Sequence, residues 1–97
     1  MTEVRWTEQA ADDLVAIRDY VRRDSPAYAQ VVVQRLYFST DQLQAFPDSG
    51  RMVPERQQPN LRELVRAPYR IVYRRHSALV EILTVFHATQ PFPGSIE

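Results

Sequence analysis

The sequence predicts an α+β domain of order β-α-α-β-β-β, a helical hairpin packed on one face of a mostly antiparallel sheet. Three observations predict it. Two stretches of helical apolar spacing follow one another directly, broken only at Ser25-Pro26. Three strand-like segments then run consecutively between Leu61 and His87, with no helical pattern among them. Segregated helices and consecutive strands bury their apolar faces as two layers, so the other face of the sheet is expected to stay partly open.

Each element has its own signal. Thr2–Trp6 alternates and reads as a short first strand. Thr7 is the expected N-cap of a helix, with Glu8 in the first turn to complement the helix dipole. Ala10, Leu14, Ile17 and Val21 recur at helical spacing, and Asp12, Asp13, Arg18, Asp19, Arg22 and Arg23 fall largely on the other side. This helix is expected to end near Asp24. Ser25 then caps a second helix with Pro26 at its first position, where a missing N–H costs nothing. Ala29, Val32, Val33, Leu36, Thr40 and Leu43 mark its inner stripe, and Tyr28, Gln34, Tyr37 and Gln44 its outer side. It should run to the stop at Pro47-Asp48-Ser49-Gly50, giving two antiparallel helices of roughly five turns each.

Met52–Asn60, with Pro54 and Pro59, reads as a loop. Leu61–Arg66 is a short strand ended by Ala67-Pro68. Tyr69–Arg75 is rich in aromatic and β-branched residues, and His76-Ser77-Ala78 is a turn. Leu79–His87 is a long apolar run, as expected of an interior strand. The segment from Ala88 to Glu97, with Pro91, Pro93 and Gly94, is expected to be a loose tail.

Ninety-seven residues make one domain, 1–97, able to bury roughly two-thirds of its surface in a modest two-layer fold. With no cysteine, disulfides and thiolate zinc sites are excluded. The two histidines, His76 and His87, would need carboxylates to complete a metal centre, so neither a metal nor another cofactor is expected. No signal-peptide pattern opens the chain and no apolar run approaches the ~20 residues of a membrane helix. A cytoplasmic protein without a membrane partner is the expectation.

Net charge is zero, with twelve arginines, no lysine and twelve acids. Placement is uneven. Met1–Gly50 holds five arginines against eight acids, whereas Arg51–Arg75 holds seven arginines against Glu55 and Glu63. One cationic segment in a neutral chain points to a local anionic partner rather than broad nucleic-acid adhesion. By strand alternation Arg62, Arg66, Arg70 and Arg74 fall on one side. The expectation is a common ridge on the open face, with the register across Ala67-Pro68 left open. The plain alternative is a scatter of solvated arginines. Tyr69 and Tyr73 share a strand face and read as packing residues, and Trp6 reads as core. His76 reads as an exposed turn residue, and His87 as a hydrogen-bonded strand-end histidine.

Several segments together resemble a known family. Trp6-Thr7 leading into Ala10-Ala11, Leu14, Ile17 and Tyr20-Val21, then Ser25-Pro26, resembles the first helix and break of ParE-type toxins. Phe46-Pro47 with Gly50-Arg51 resembles the end of their second helix. Arg62-Glu63-Leu64-Val65 and Tyr69-Arg70-Ile71-Val72-Tyr73-Arg74 resemble the core strands of the RelE/ParE superfamily. Val80, Ile82-Leu83 and Val85-Phe86-His87 resemble the last strand. The resemblance spans nearly the whole chain in order, and it implies the toxin of a type II toxin–antitoxin system, neutralised by a cognate antitoxin.

The resemblance also implies two biochemical branches on one fold. One cuts mRNA on the ribosome; the other, the ParE type, inhibits DNA gyrase. RNA cleavage by 2′-OH attack needs a base, an acid and cations for the phosphorane. Arg70, which matches an active-site arginine of the cutting branch, is the candidate cation, with His87 and Glu63 for proton transfer. The tail argues for the other branch. His87-Ala88-Thr89-Gln90-Pro91-Phe92-Pro93 holds no Arg, Lys or Tyr where the cutting branch carries basic residues and a tyrosine. The neutral charge points the same way, because ribosome binding favours basic proteins. The favoured expectation is a gyrase-binding toxin with no catalytic residue, using Arg62, Arg66, Arg70, Arg74 and His87 toward target or antitoxin. A ribosome-dependent endonuclease and an inactive antitoxin-binding relative are the alternatives. One departure stands: Gln90 lies where many ParE-like chains carry an arginine.

Overall fold

Thr7 ends a strand and starts a helix at one point. Its N–H and hydroxyl both donate to the Ile82 carbonyl, at 3.1 and 2.7 Å, and its hydroxyl accepts from the Ala10 N–H. The computed structural model describes residues 1–94 and 96; Ser95 and Glu97 of the tail lie outside the described residues. The elements are β1 (Glu3–Trp6), α1 (Glu8–Arg22), α2 (Pro26–Ser39), α3 (Gln42–Ala45), β2 (Arg51–Met52), β3 (Leu61–Arg66), β4 (Tyr69–Arg75) and β5 (Leu79–His87). The sheet order is β1-β5-β4-β3-β2, with β1 parallel to β5 and the other pairs antiparallel. The predicted α+β architecture is the observed one, and β5 lies inside the sheet between β1 and β4.

Two differences in the elements have local causes. The second helix was expected to run unbroken to Pro47, but it stops at Ser39 and a single turn, α3, follows. The Ser39 and Thr40 hydroxyls donate back to the Leu36 and Tyr37 carbonyls, both at 2.8 Å. Such side-chain bonds compete with the helical ladder and bend it away. The loop expected from Met52 begins one residue later, because Arg51 and Met52 pair with Glu63 and Arg62 as a fifth strand.

The main core lies between the helices and one sheet face. Ala10, Leu14, Val32, Leu36, Leu43, Leu64, Ile71, Tyr73, Val80 and Ile82 meet there, with Val4, Trp6 and Ile17 half-buried against them. Burying a side chain such as Leu36 contributes about 1.5–3 kcal/mol. Tyr73 is fully buried, yet its hydroxyl donates to the Pro47 carbonyl and accepts from the Gly50 N–H. Burial raises its phenol pKa. A β-bulge interrupts the β4–β5 register at Val72/Tyr73. Asp13, read from its spacing as a surface charge, reaches into that bulge from α1. Its carboxylate accepts from the Thr84 hydroxyl at 2.6 Å and the Val85 N–H at 3.0 Å.

The other sheet face is less open than expected. Val53, Leu61, Val72, Leu83 and Phe86 form a second cluster there, with Phe92 and Ile96 of the tail packed against it. The segment after β5, expected as a loose end, thus contributes two apolar side chains to this face.

Candidate functional site

Register decides where the arginines stand. Arg66 pairs with Tyr69 across the two-residue turn Ala67-Pro68, and Arg62 pairs with Tyr73. Directly opposed residues share a face. Arg62 and Arg66 therefore belong to the helix-side face of Tyr69, Ile71 and Tyr73, while Arg70 and Arg74 belong to the other. The expected four-arginine ridge does not exist. An even-numbered face on β3 continues as an odd-numbered face on β4, because a two-residue turn reverses parity.

Most of these cations are also occupied. Arg62 donates to the Gly50 and Pro59 carbonyls, and Arg66 to the Gln42 side chain at 2.6 Å. Arg74 faces Glu81 across the strands and has no hydrogen bond or ion pair within the described residues. Arg70 is the most engaged of all. It is 8% exposed, and its Nε donates to Glu63 at 2.6 Å. Its Nη1 and Nη2 donate to the two Glu55 oxygens at 2.9 and 2.7 Å. Arg51 closes the network, donating from Nε to the second Glu63 oxygen at 2.6 Å.

A buried charge of this kind persists only when paired and hydrogen-bonded. Glu63 is 1% exposed, and each of its oxygens takes a guanidinium. The Arg70 bond holds the Glu55 carboxyl down at about 2, against an ordinary 4.5. The same bond, with help from Glu63 and against the cost of burial, raises the Arg70 pKa above its ordinary value. Aromatic rings complete the enclosure, with the guanidinium 5.1 Å from the Phe86 ring centroid and 5.5 Å from that of Phe92.

His87 lies elsewhere. It pairs with Tyr69 in the sheet, so its side chain belongs to the helix-side face, opposite Arg70 and Glu63. There it meets the Tyr69 ring edge-on at 5.5 Å, and its Nδ1 accepts from the Thr89 N–H. It borders an open cleft of about 770 Å³ between α1 and the end of β5, shared with Gln9, Asp13, Tyr20, Tyr69 and Gln90. The three candidates for RNA cleavage are thus divided: Glu63 and Arg70 bond to each other on one face, and His87 stands on the other. A second groove, about 240 Å³ and almost wholly apolar, runs between α1 and α2 along Trp6, Ala11, Val15, Val33 and Tyr37, with Arg18 at its rim.

The remaining residues stand apart from the network. His76 is exposed, as expected, and its Nε2 lies 2.7 Å from Glu81. Trp6 is half-buried against the core. Glu55, Arg51 and Phe92 were missed as site residues. Glu55 was legible as one of two acids among seven arginines, and Phe92 as the one aromatic in a proline-rich tail. No described helix is long and apolar enough to cross a membrane.

Fold and site together define a small α+β domain whose distinctive surfaces are grooves and an internally satisfied ion network. A family model described as the ParE toxin of type II toxin-antitoxin system, parDE, matches residues 4–92. The chain belongs to that family and is the toxin of a type II toxin–antitoxin system. It is 41% identical over 91 residues to Toxin RelE2 of Caulobacter vibrioides, covering 93% of this chain and 99% of that one. It is 46% identical over 92 residues to Putative toxin Y4kP of Sinorhizobium fredii, covering 93% and 92%. Among solved structures it is similar to a chain of the chromosomal ParDE system of P. aeruginosa, with a TM-score of 0.73 and 31% identity, covering 90% and 96%. A chain of the RelBE2 toxin-antitoxin complex of Mycobacterium tuberculosis shares the fold at a TM-score of 0.54 and 24% identity, covering 89% and 96%.

Proposed function

We propose that this toxin inhibits DNA gyrase by binding and does not cut RNA. The observation that carries the reading is the division of Glu63, Arg70 and His87 between two sheet faces. General acid–base chemistry needs its groups within about 3 Å of one reacting centre, directly or through one water. A phosphorane also needs a free cation, and every nitrogen of Arg70 already donates to a carboxylate. Binding requires no such convergence.

A cognate antitoxin is the second partner in this reading. Its disordered segment would fold onto the helical hairpin and extend the sheet at an edge. The apolar groove between α1 and α2 suits the apolar face of an amphipathic helix, with Arg18 at the rim for an acidic residue. Co-expression with the neighbouring small gene product, followed by purification through one partner, tests this; recovery of the toxin alone, with growth still arrested, counts against it.

The target is tested by adding purified toxin to a gyrase supercoiling assay, beside an assay of translation-dependent mRNA cleavage. Inhibited supercoiling with intact mRNA is the expected result. Unimpaired supercoiling together with codon-positioned cuts that vanish in His87→Ala would establish the endonuclease instead. Expression without antitoxin separates both from an inert relative, which would leave growth untouched.

A further inference from the structure

The Arg70 network does more than neutralise charge, because each of its partners belongs to a different segment. Glu63 is in β3 and Arg51 in β2, whereas Glu55 is in the Val53–Asn60 loop. Phe92 is in the tail, and its ring centroid lies 4.8 Å from the Arg56 guanidinium and 5.5 Å from that of Arg70. It also packs edge-on against Phe86 at 5.7 Å, and Arg56 donates to the Pro93 carbonyl at 3.4 Å. The loop and the tail are thereby tied to each other and to one buried guanidinium.

The loop so held is unusual in two further respects. Val53 at its base is fully buried, and its carbonyl accepts from the Arg56 and Gln57 N–H groups at 3.2 and 2.9 Å. Every residue from Pro54 to Asn60 is nevertheless exposed. Gln57 has φ 54°, the one non-glycine residue in the left-handed region among the described residues. A glutamine there is strained, and such strain persists only where the surroundings enforce it. The result is a platform presenting Gln57 and Gln58 between Pro54 and Pro59, with Asn60 just beyond.

We propose that this platform, Pro54–Asn60 backed by Phe92, is the surface that meets the target, and that Arg70 is a positioning residue behind it. The partner it fits is a folded protein surface. Side-chain amides donate and accept toward polypeptide, and the platform's one cation, Arg56, is turned onto the Phe92 ring and the Pro93 carbonyl. Phosphate recognition would need several available cations, and this surface does not offer them. The proposal rests on the gyrase-binding reading and deepens it by replacing the sheet arginines with the loop as contact.

The test uses full-length toxin and purified gyrase, with antitoxin binding and thermal melting measured in parallel. Gln57→Gly with Gln58→Ala removes both glutamine amides while keeping a residue that tolerates positive φ at 57. It should weaken inhibition at least tenfold and leave melting and antitoxin affinity unchanged. Arg74→Glu, on the same sheet face but outside the platform, should inhibit as wild type does. Phe92→Ala should weaken inhibition and speed hydrogen exchange at the Arg56 and Gln57 amides, while the Ile71 and Val72 amides stay protected. Arg70→Lys should repeat that pattern even if it melts earlier. A platform double variant that inhibits normally overturns the inference, and so does loss of inhibition in Arg74→Glu alone. Wild-type toxin that never inhibits gyrase instead refutes the reading beneath it.

Discussion

Glu55→Gln isolates one arm of the buried network and can be followed quantitatively. The substitution keeps the shape of the side chain and removes its charge from the Arg70 guanidinium. In the wild type that guanidinium holds the carboxyl at about 2 rather than 4.5. A carboxyl depressed on folding stabilises the protein above its unfolded pKa, and the contribution disappears as pH falls through the folded value. The window therefore runs from about 4.5 down to about 2. At about 1.4 kcal/mol per pH unit, this depression sets an upper bound of ~3.5 kcal/mol. The Glu55 side chain is 39% exposed, so solvent screening reduces the figure to about 1 kcal/mol. For a chain of this size that is a Tm lower by about 4–8 °C near pH 7. Thermal unfolding by circular dichroism, at fixed ionic strength from pH 7 to pH 2, should show this gap closing below pH 4.5. The remaining carboxyls are common to both proteins, so the difference reports the loss of the Glu55 charge. Equal Tm values at pH 7, or a gap that persists at pH 2, would refute the assignment.

Three further substitutions probe other parts of the structure. Gly50→Ala would place a Cβ 2.6 Å from the Glu63 carbonyl oxygen and 2.7 Å from the Tyr73 ring; it should cost about 1–3 kcal/mol, seen as a lower urea midpoint with unchanged slope. Asp13→Ala strips the bulge of its acceptor and should cost about 1–3 kcal/mol, with faster exchange at the Val85 amide; an amide as protected as before would show that Asp13 is dispensable. His87→Ala should still arrest growth on induction without antitoxin, since His87 lies on the face opposite Arg70; full loss of toxicity in a folded variant would restore it as a functional group.

The elements were legible in the sequence because each rests on local rules. Thr7 and Ser25 announce their helices, the apolar stripes define the buried faces, and Leu79–His87 reads as an interior strand. What escaped depends on register and on distant neighbours. Two residues between β3 and β4 were enough to separate Arg62 and Arg66 from Arg70 and Arg74, and alternation within either strand says nothing about that step. The helix break at Thr40 turned on two hydroxyls folding back onto carbonyls. Of the site, Arg70 and Glu63 were identified, but their roles changed from exposed candidates to a buried pair. Glu55 and Phe92 carry no sequence pattern that ties them to Arg70; the tie exists only once β2, the loop and the tail lie on one sheet face.

The fate of the cations has a consequence for nucleic acid. Six of the seven arginines between Arg51 and Arg75 are held by groups of the protein: Arg51 and Arg70 by carboxylates, Arg56, Arg62 and Arg66 by carbonyls or a side-chain amide, and Arg75 by Asp48 and the Ser77 carbonyl. Each therefore offers a phosphate less charge or fewer N–H groups than a free guanidinium would. Arg74 alone is uncommitted within the described residues. Each phosphate contact to a single strand contributes about −0.7 to the slope of log K against log salt. A surface offering one ready cation should therefore bind single-stranded RNA weakly, with a slope near −1. Fluorescence anisotropy with a labelled oligonucleotide, titrated from low to moderate salt, measures this directly. A slope of about −3 or steeper would mean that several paired arginines are released to the ligand. In that case the network around Arg70 would have to open on binding, and an RNA-directed activity would regain its cation.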